Sequence, residues 1–152
     1  MSRRNVSEKK IIKYDPIYHN KLVSMLVTRI MKNGKKYLAY KIIYLSLKYI
    51  QKNKKKNPLA FLRQAICILN PGVKINKRNE GNLVITELGL EQGKIIAIKW
   101  LLRASRKRSG PNMVLKLSSE LIEATKGIGY AIREKERIIR IAEANRTLAY
   151  FL

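Results

Sequence analysis

Residues 73–88, VKINKRNEGNLVITEL, break the pattern of the rest of this 152-residue chain. Val73 and Ile75 alternate with polar residues, residues 77–82 are polar, and residues 83–88 are rich in β-prone side chains. A hydrophobic period of two around a polar turn predicts a β-hairpin over about residues 73–88. Because two strands cannot form a sheet core by themselves, this hairpin must protrude from a body made of other elements.

Apolar residues on both sides of the hairpin recur at helical spacing. Asp15-Pro16 and Asn57-Pro58 are typical helix starts, since Asp or Asn caps free N–H groups and Pro favours the first turn. The pattern predicts six helices, over about residues 15–34, 36–51, 57–69, 93–108, 112–126 and 128–150. The predicted fold class is therefore mainly α, a six-helix domain with one protruding β-hairpin inserted between helices 3 and 4.

The charge balance points to a polyanionic partner. The chain carries 33 Lys and Arg against 10 Asp and Glu, a net charge of +23, and residues 16–79 contain fifteen basic residues and no acid. Nucleic acid is the usual partner of such a surface, because each neutralised phosphate releases a condensed counterion. Residues 1–14 are interpreted as a flexible basic arm, and residues 15–152 as a single domain with enough apolar residues for a core.

Few residues suit catalysis or metal binding. Cys67 and His19 are each the only residue of their type, so thiolate and imidazole metal sites lack partners. We expect Cys67 to be a small buried residue of an apolar run, and His19 to lie at the surface or to pack in a groove. The chain contains no phosphate-binding or dinucleotide-binding motif. We predict no enzymatic activity, no cofactor and no metal.

Glu120 and Glu123 share one side of the fifth predicted helix and resemble a paired-carboxylate site. The ordinary polar face of an amphipathic helix explains them better. Acidic residues become more frequent from Glu120 onward, which favours a protein neighbour for the C-terminal third.

The fourth predicted helix carries the clearest functional pattern. One side is apolar, with Ile95, Ile98, Leu101 and Leu102, and another side carries only cations, at Lys99, Arg103, Arg106 and Lys107. Like charges at this spacing disfavour an isolated helix by about 0.2–0.5 kcal/mol per pair. A phosphate backbone along this side would turn that repulsion into attraction.

The second predicted helix is harder to interpret. Leu38, Ile42, Leu45 and Tyr49 lie on one apolar face of it, and an amphipathic helix usually turns such a face to the core. Lysines interleave with three tyrosines, Tyr37, Tyr40 and Tyr44. Base stacking and packing at the core or its rim both fit these rings, and packing is favoured.

Several segments resemble small-subunit ribosomal protein seven of the bacterial and plastid type. They are residues 15–23 (DPIYHNKLV), 33–36 (NGKK), 99–108 (KWLLRASRKR), 116–121 (KLSSEL) and 142–146 (AEANR). The resemblance covers nearly the whole chain in unbroken order, and several segments are most similar to plastid members. It implies a structural protein that binds the 3′ major domain of small-subunit rRNA, nucleates assembly of the subunit head and lies near the exit-site tRNA and the mRNA channel.

By position, the resemblance implies rRNA contacts in the arm, in the hairpin, in the fourth helix and at the start of the fifth. It also implies contacts in the turn between the first and second predicted helices, residues 34–36, which is called the first turn below. The implied contact residues are Arg3, Arg4, Lys9, Lys10, Lys35, Lys36, Lys77, Arg78, Lys99, Arg103, Arg106, Lys107, Arg108, Met113 and Lys116. The implied tRNA-proximal residues are Asn79, Gly81 and Asn82. The hairpin tip departs from the family, since it is shorter, contains Glu80, and has Ile85 where family members carry Pro.

The prediction is thus a constituent of a plastid small ribosomal subunit, in the stroma, with a bacterial cytoplasmic ribosome as the second choice. Abundant Lys, Ile and Asn, which use A- and T-rich codons, favour an organellar origin. The expected partners are rRNA, neighbouring ribosomal proteins of the head and platform, and nearby tRNA and mRNA, with no membrane. On the residues alone, a nucleoid-type DNA-binding module and a basic protein at a membrane surface remain alternatives.

Overall fold

The computed structural model describes residues 14–54, 57–77 and 83–145. Within these ranges it contains six helices, α1 (Lys21–Ile30), α2 (Lys36–Lys54), α3 (Pro58–Leu69), α4 (Leu90–Lys107), α5 (Met113–Thr125) and α6 (Tyr130–Ala144). Strands β1 (Val73–Lys77) and β2 (Leu83–Glu87) lie between α3 and α4. The prediction of a mainly α fold with a hairpin inserted between helices 3 and 4 is confirmed. The predicted arm lies outside the described residues except for Tyr14, which is exposed.

The hairpin is a two-stranded antiparallel sheet. Val73 pairs with Glu87, and Ile75 pairs with Ile85, the position at which the resemblance leads one to expect Pro. The N–H of Leu88 donates to the carbonyl of Gly72 at 3.0 Å and closes the base of the hairpin. The tip, residues 78–82, lies outside the described residues.

Helix α5 lies at the centre of the helical body, where it packs against α2, α3, α4 and α6. The predicted core residues of α3 are buried, namely Leu62, Ala65, Ile66 and Leu69. Ile98, Leu101 and Leu102 of α4 are also buried, and Ile95 is half-buried. The amphipathic patterns of α3 and α4 therefore place these helices correctly.

The predicted start of the first helix is wrong. Asp15 instead closes a turn, in which its carboxylate accepts the N–H groups of Ile17 at 3.3 Å and Tyr18 at 2.8 Å. The cap of α1 is Asn20, whose side chain accepts the N–H of Leu22 at 2.8 Å. Asp-Pro starts turns as well as helices, and here His19, exposed and at φ 45°, separates the turn from the helix.

The buried Asp15 carboxylate also accepts a hydrogen bond from a tyrosine of α2. The hydroxyl of Tyr44 donates to Asp15 Oδ1 at 2.7 Å, and the Tyr44 ring lies 5.6 Å from that of Tyr40. Burial, and then the bond to Asp15, raise the pKa of the Tyr44 phenol. Packing at the core rim is confirmed for Tyr40 and Tyr44, whereas Tyr37 is 80% exposed.

We expect Tyr44→Phe to lower the free energy of unfolding by about 1.5–3 kcal/mol, because a buried carboxylate loses one of its donors. Thermal or urea unfolding measures this, and Tyr37→Phe is the matched control. The folded-state pKa is raised, so this stabilisation is complete below about pH 10 and is lost as pH rises through the folded-state value. A Tyr44→Phe variant as stable as the control would contradict this assignment.

Two predictions of burial are wrong. Helix α2 turns Ala39, Ile43, Leu47 and Ile50 to the core, and Leu38, Leu45 and Tyr49 to the outside. Apolar residues follow two sides of this helix, so its spacing fits either orientation. Cys67 is exposed, because α3 buries Ile66 and Leu69 and the position after Ile66 is rotated away from the core.

Among the described residues, no helix is both long enough and apolar enough to span a membrane.

Candidate nucleic-acid interface

The four predicted cations of α4 lie on one exposed side of the helix. Lys99, Arg103, Arg106 and Lys107 are all exposed. The opposite side of α4 is buried against the other helices and orients this row outward. The result is a ridge of positive charge about two turns long, fixed on a helix whose other side is part of the core.

The cations of this ridge differ in their partners. Arg103 lies 3.8 Å from Glu134 on α6, yet its side chain is 59% exposed. The ammonium of Lys107 donates to the Tyr130 hydroxyl at 2.8 Å and lies 4.4 Å from the centre of its ring. Lys99 and Arg106 form no ion pair with a described residue. These two cations are the most available to an external anion.

Arg108 pairs with carboxylates of the protein itself. Its Nε donates to Glu120 Oε2 at 2.5 Å and its Nη1 to Glu123 Oε1 at 2.9 Å, with a second close contact between Nη2 and Glu123. Chiefly Glu123, and then Glu120, raise the pKa of the guanidinium, against an opposing effect of burial. The charge of Arg108 is thus already neutralised by two carboxylates, unlike that of Arg106.

The assignment of Glu120 to an ordinary polar helix face is wrong, since its side chain is fully buried. Its second oxygen, Oε1, accepts the N–H of Ala131 at 3.1 Å in the first turn of α6. Gly129 has φ 120°, and a Cβ there would lie only 3.2 Å from this oxygen. Glu120 therefore ties α5 to the end of α4 and the start of α6.

The first turn and α4 meet at a cavity of about 330 Å³. Lys32, Lys35 and Arg106 contribute cations to its lining, while Leu38 and Met113 contribute apolar surface. Lys35 and Arg106 are far apart in sequence, so the fold brings together two predicted parts of the interface. Lys36 lies beside this turn, with its ammonium 5.7 Å from the Tyr40 ring.

Sequence reasoning missed Lys32 as part of this group. Its only signal was its place directly before the Asn33-Gly34 turn, where both residues adopt positive φ angles, 49° and 70°. This turn reverses the chain so that Lys32 and Lys35 both reach the same cavity.

Met113 and Lys116 lie in the first turn of α5, after the loop that leaves α4. Lys116 is half-buried and packs beside Gly110, where a Cβ would lie 3.5 Å from its Cγ. Gly110 has φ 147°, a backbone conformation that favours glycine.

A comparison with known proteins decides the family. The family model described as ribosomal protein S7p/S5e matches residues 2–146. The chain belongs to this family. It is therefore a structural, non-enzymatic component of the small ribosomal subunit, in which family members bind rRNA and neighbouring ribosomal proteins.

In this S7-family protein, some predicted contact residues lie outside the described ranges. They are Arg3, Arg4, Lys9 and Lys10 of the arm and Arg78, Asn79, Gly81 and Asn82 of the hairpin tip. Lys77 is the last residue of β1, for which the structure describes the backbone.

Three of the five acidic residues of the C-terminal third pair with arginines of the protein itself. Glu120 and Glu123 pair with Arg108, and Glu134 pairs with Arg103. These carboxylates hold α5 and α6 against α4, whereas Glu136 and Glu143 are exposed. A protein neighbour of the C-terminal third stays a prediction. Within the described ranges, no group of three or more His, Cys, Asp or Glu could hold a metal ion.

Proposed function

We propose that this S7-family protein binds the 3′ major domain of small-subunit rRNA through the ridge on α4 and the adjoining first turn. The observation that carries this proposal is that Lys99 and Arg106 are exposed and unpaired among described residues, with Lys35 beside Arg106 at one cavity. Such an arrangement offers several fixed cations to a phosphate backbone at once.

The mechanism is electrostatic. rRNA helices that approach one another repel through their phosphates, and fixed cations between them offset that repulsion. The backbone of a packed helix loses little conformational freedom on binding, so the entropic cost is confined to the exposed side chains that become ordered. On this basis the protein nucleates assembly of the subunit head.

The cavity supports a role for Met113 in the same interface, and Lys116 lies in the same first turn of α5. Its apolar lining and cationic rim suit an unstacked nucleotide, with the base against Met113 and the phosphate near Lys35 or Arg106. Single-stranded and bulged nucleotides are the parts of RNA that proteins read in this way.

Arg108 has a different role in this proposal. Because Glu120 and Glu123 already neutralise it, we assign it to positioning the end of α4 and not to contact with phosphate. Arg103 and Lys107, which keep exposed side chains, remain in the proposed contact set with Lys36.

The arm and the hairpin extend the proposed surface beyond the described residues. Arg3, Arg4, Lys9, Lys10, Lys77 and Arg78 would add phosphate contacts. Asn79, Gly81 and Asn82 are proposed to lie near the exit-site tRNA and the mRNA channel. Glu80 opposes RNA contact at the tip, so the cations that flank it matter most there.

A plastid ribosome is the proposed location, supported by the abundance of Lys, Ile and Asn. Its test is cell fractionation, in which the protein should sediment with plastid small subunits. Sedimentation with cytoplasmic ribosomes would contradict it.

The direct test of the function is competition between nucleic acids. At equal salt, the purified chain should prefer a folded 3′ major domain fragment over duplex DNA of similar length by at least about tenfold, since it reads RNA shape as well as charge. Equal or tighter binding to the duplex DNA would contradict the proposal and favour a nucleoid-type module.

A further inference from the structure

Helix α2 presents an apolar seam to the outside of the molecule. The seam consists of Leu38, Ile42, Leu45 and Tyr49, separated by four, three and four residues. Leu38, Leu45 and Tyr49 are 50%, 43% and 39% exposed, and Ile42 is half-buried. The core is filled from another side of α2 by Ala39, Ile43, Leu47 and Ile50, although Ile42 of the seam also packs against it.

Alternating spacings of four and three are those of a helix that packs along another helix. In such a helix pair, the residue directly before every second contact residue lies at the edge of the contact. Its charge determines which charge the partner helix must carry there. Here those positions are Lys41, before Ile42, and Lys48, before Tyr49, and both are exposed. The helix has no acidic residue.

We propose that the α2 seam docks an amphipathic helix of a neighbouring protein, one that carries apolar residues at the same spacing and acidic residues beside them. The apolar side chains would pack against Leu38, Ile42, Leu45 and Tyr49. The carboxylates would pair with Lys41 and Lys48. This inference goes beyond the proposed function and does not depend on which rRNA the protein binds.

Other occupants fit the seam less well. A second copy of this chain offers no carboxylate from its own seam helix to Lys41 and Lys48, since α2 has no acidic residue. RNA is bound mainly by cations and by aromatic rings on which its bases stack, and aliphatic side chains such as Leu38 and Leu45 add little to its affinity. A helix that lies on a membrane uses its widest apolar side, and that side of α2 is already buried in the core.

The test uses the full chain bound to its rRNA fragment, so that the cations of α4 are occupied. The probe is a fluorescent helical peptide of about three heptads with Leu at the seam positions and Glu at the flanking positions. Anisotropy titration should give saturable binding. The same peptide with Lys at the flanking positions should bind at least about tenfold more weakly, because it repels Lys41 and Lys48.

Two variants locate the contact. Leu45→Gln combined with Tyr49→Gln removes apolar surface without a change of charge, and it should weaken peptide binding at least about tenfold. Leu90→Gln is the matched control, since Leu90 is 75% exposed at the start of α4. Lys41→Glu combined with Lys48→Glu should reverse the preference towards the Lys-flanked peptide.

The proposal is overturned if the seam variant and the Leu90 control bind the acidic peptide equally. It is also overturned if neither peptide binds the wild-type complex, or if Leu45 and Tyr49 are needed to bind polyuridine or phosphatidylglycerol vesicles instead. The rRNA affinity of the seam variant should stay unchanged, which separates this result from a failure of the proposed function.

Discussion

Glu120→Ala is expected to lower the free energy of unfolding by about 3 kcal/mol, because it leaves a partly buried guanidinium with one carboxylate fewer. The substitution also removes the acceptor of the Ala131 N–H, which is buried at the start of α6. Arg108 keeps Glu123, so the loss should fall at the lower end of what breaking a buried ion pair costs. Urea unfolding followed by circular dichroism measures it.

Glu143→Ala is the control, since Glu143 is an exposed acid on α6 and its loss should change stability by less than about 0.5 kcal/mol. Combining Glu120→Leu with Arg108→Met should recover part of the stability, because no buried unpaired charge then remains and Glu123, which loses Arg108, is partly exposed to water. If Glu120→Ala unfolds at the same urea concentration as Glu143→Ala, the bonds of Glu120 to Arg108 and to the Ala131 N–H do not stabilise the fold as described.

Charge reversal on α4 is expected to have the largest effect on RNA binding. Lys99→Glu combined with Arg106→Glu should weaken binding to the rRNA fragment at least about a hundredfold, since each charge-assisted contact contributes about 1.5–3 kcal/mol. The fold should persist, because both side chains are exposed and reversal relieves repulsion along the helix. Filter binding and circular dichroism measure the two quantities.

A control with the same change in net charge distinguishes a site from a general attraction. Lys41→Glu combined with Lys48→Glu alters two exposed lysines of α2 and should weaken rRNA binding by less than about threefold. Equal losses in the two double variants would mean that the total charge, and not the ridge on α4, governs binding.

The sequence predicted those elements whose apolar and polar residues are clearly separated. Helix α4 has one apolar side and one cationic side, so its orientation followed from spacing alone. The hairpin was equally clear, since its period differs from that of the helices around it. Helix α2 was misoriented because apolar residues lie on two of its sides, and only the packing of α1, α3 and α5 selects between them.

Contacts between distant residues account for most of what the sequence did not predict. In the sequence, Arg108 ends a row of cations and cannot be distinguished from Arg106. In the fold, α5 places Glu120 and Glu123 beside Arg108. Likewise, Asp15-Pro16 fits a helix start, and the bond from Tyr44 of α2 to the Asp15 carboxylate joins residues that are distant in sequence. Lys35 and Arg106 were each predicted, whereas their meeting at one cavity required the fold.

The affinity of the purified chain for the 3′ major domain fragment, measured across salt concentrations, tests the central claim most directly. If the exposed cations neutralise about six or more phosphates, the plot of log affinity against log salt should have a slope of about −4 or steeper. The slope should become about two units shallower in the Lys99→Glu and Arg106→Glu double variant. An affinity that hardly changes with salt would contradict the claim that these cations bind rRNA.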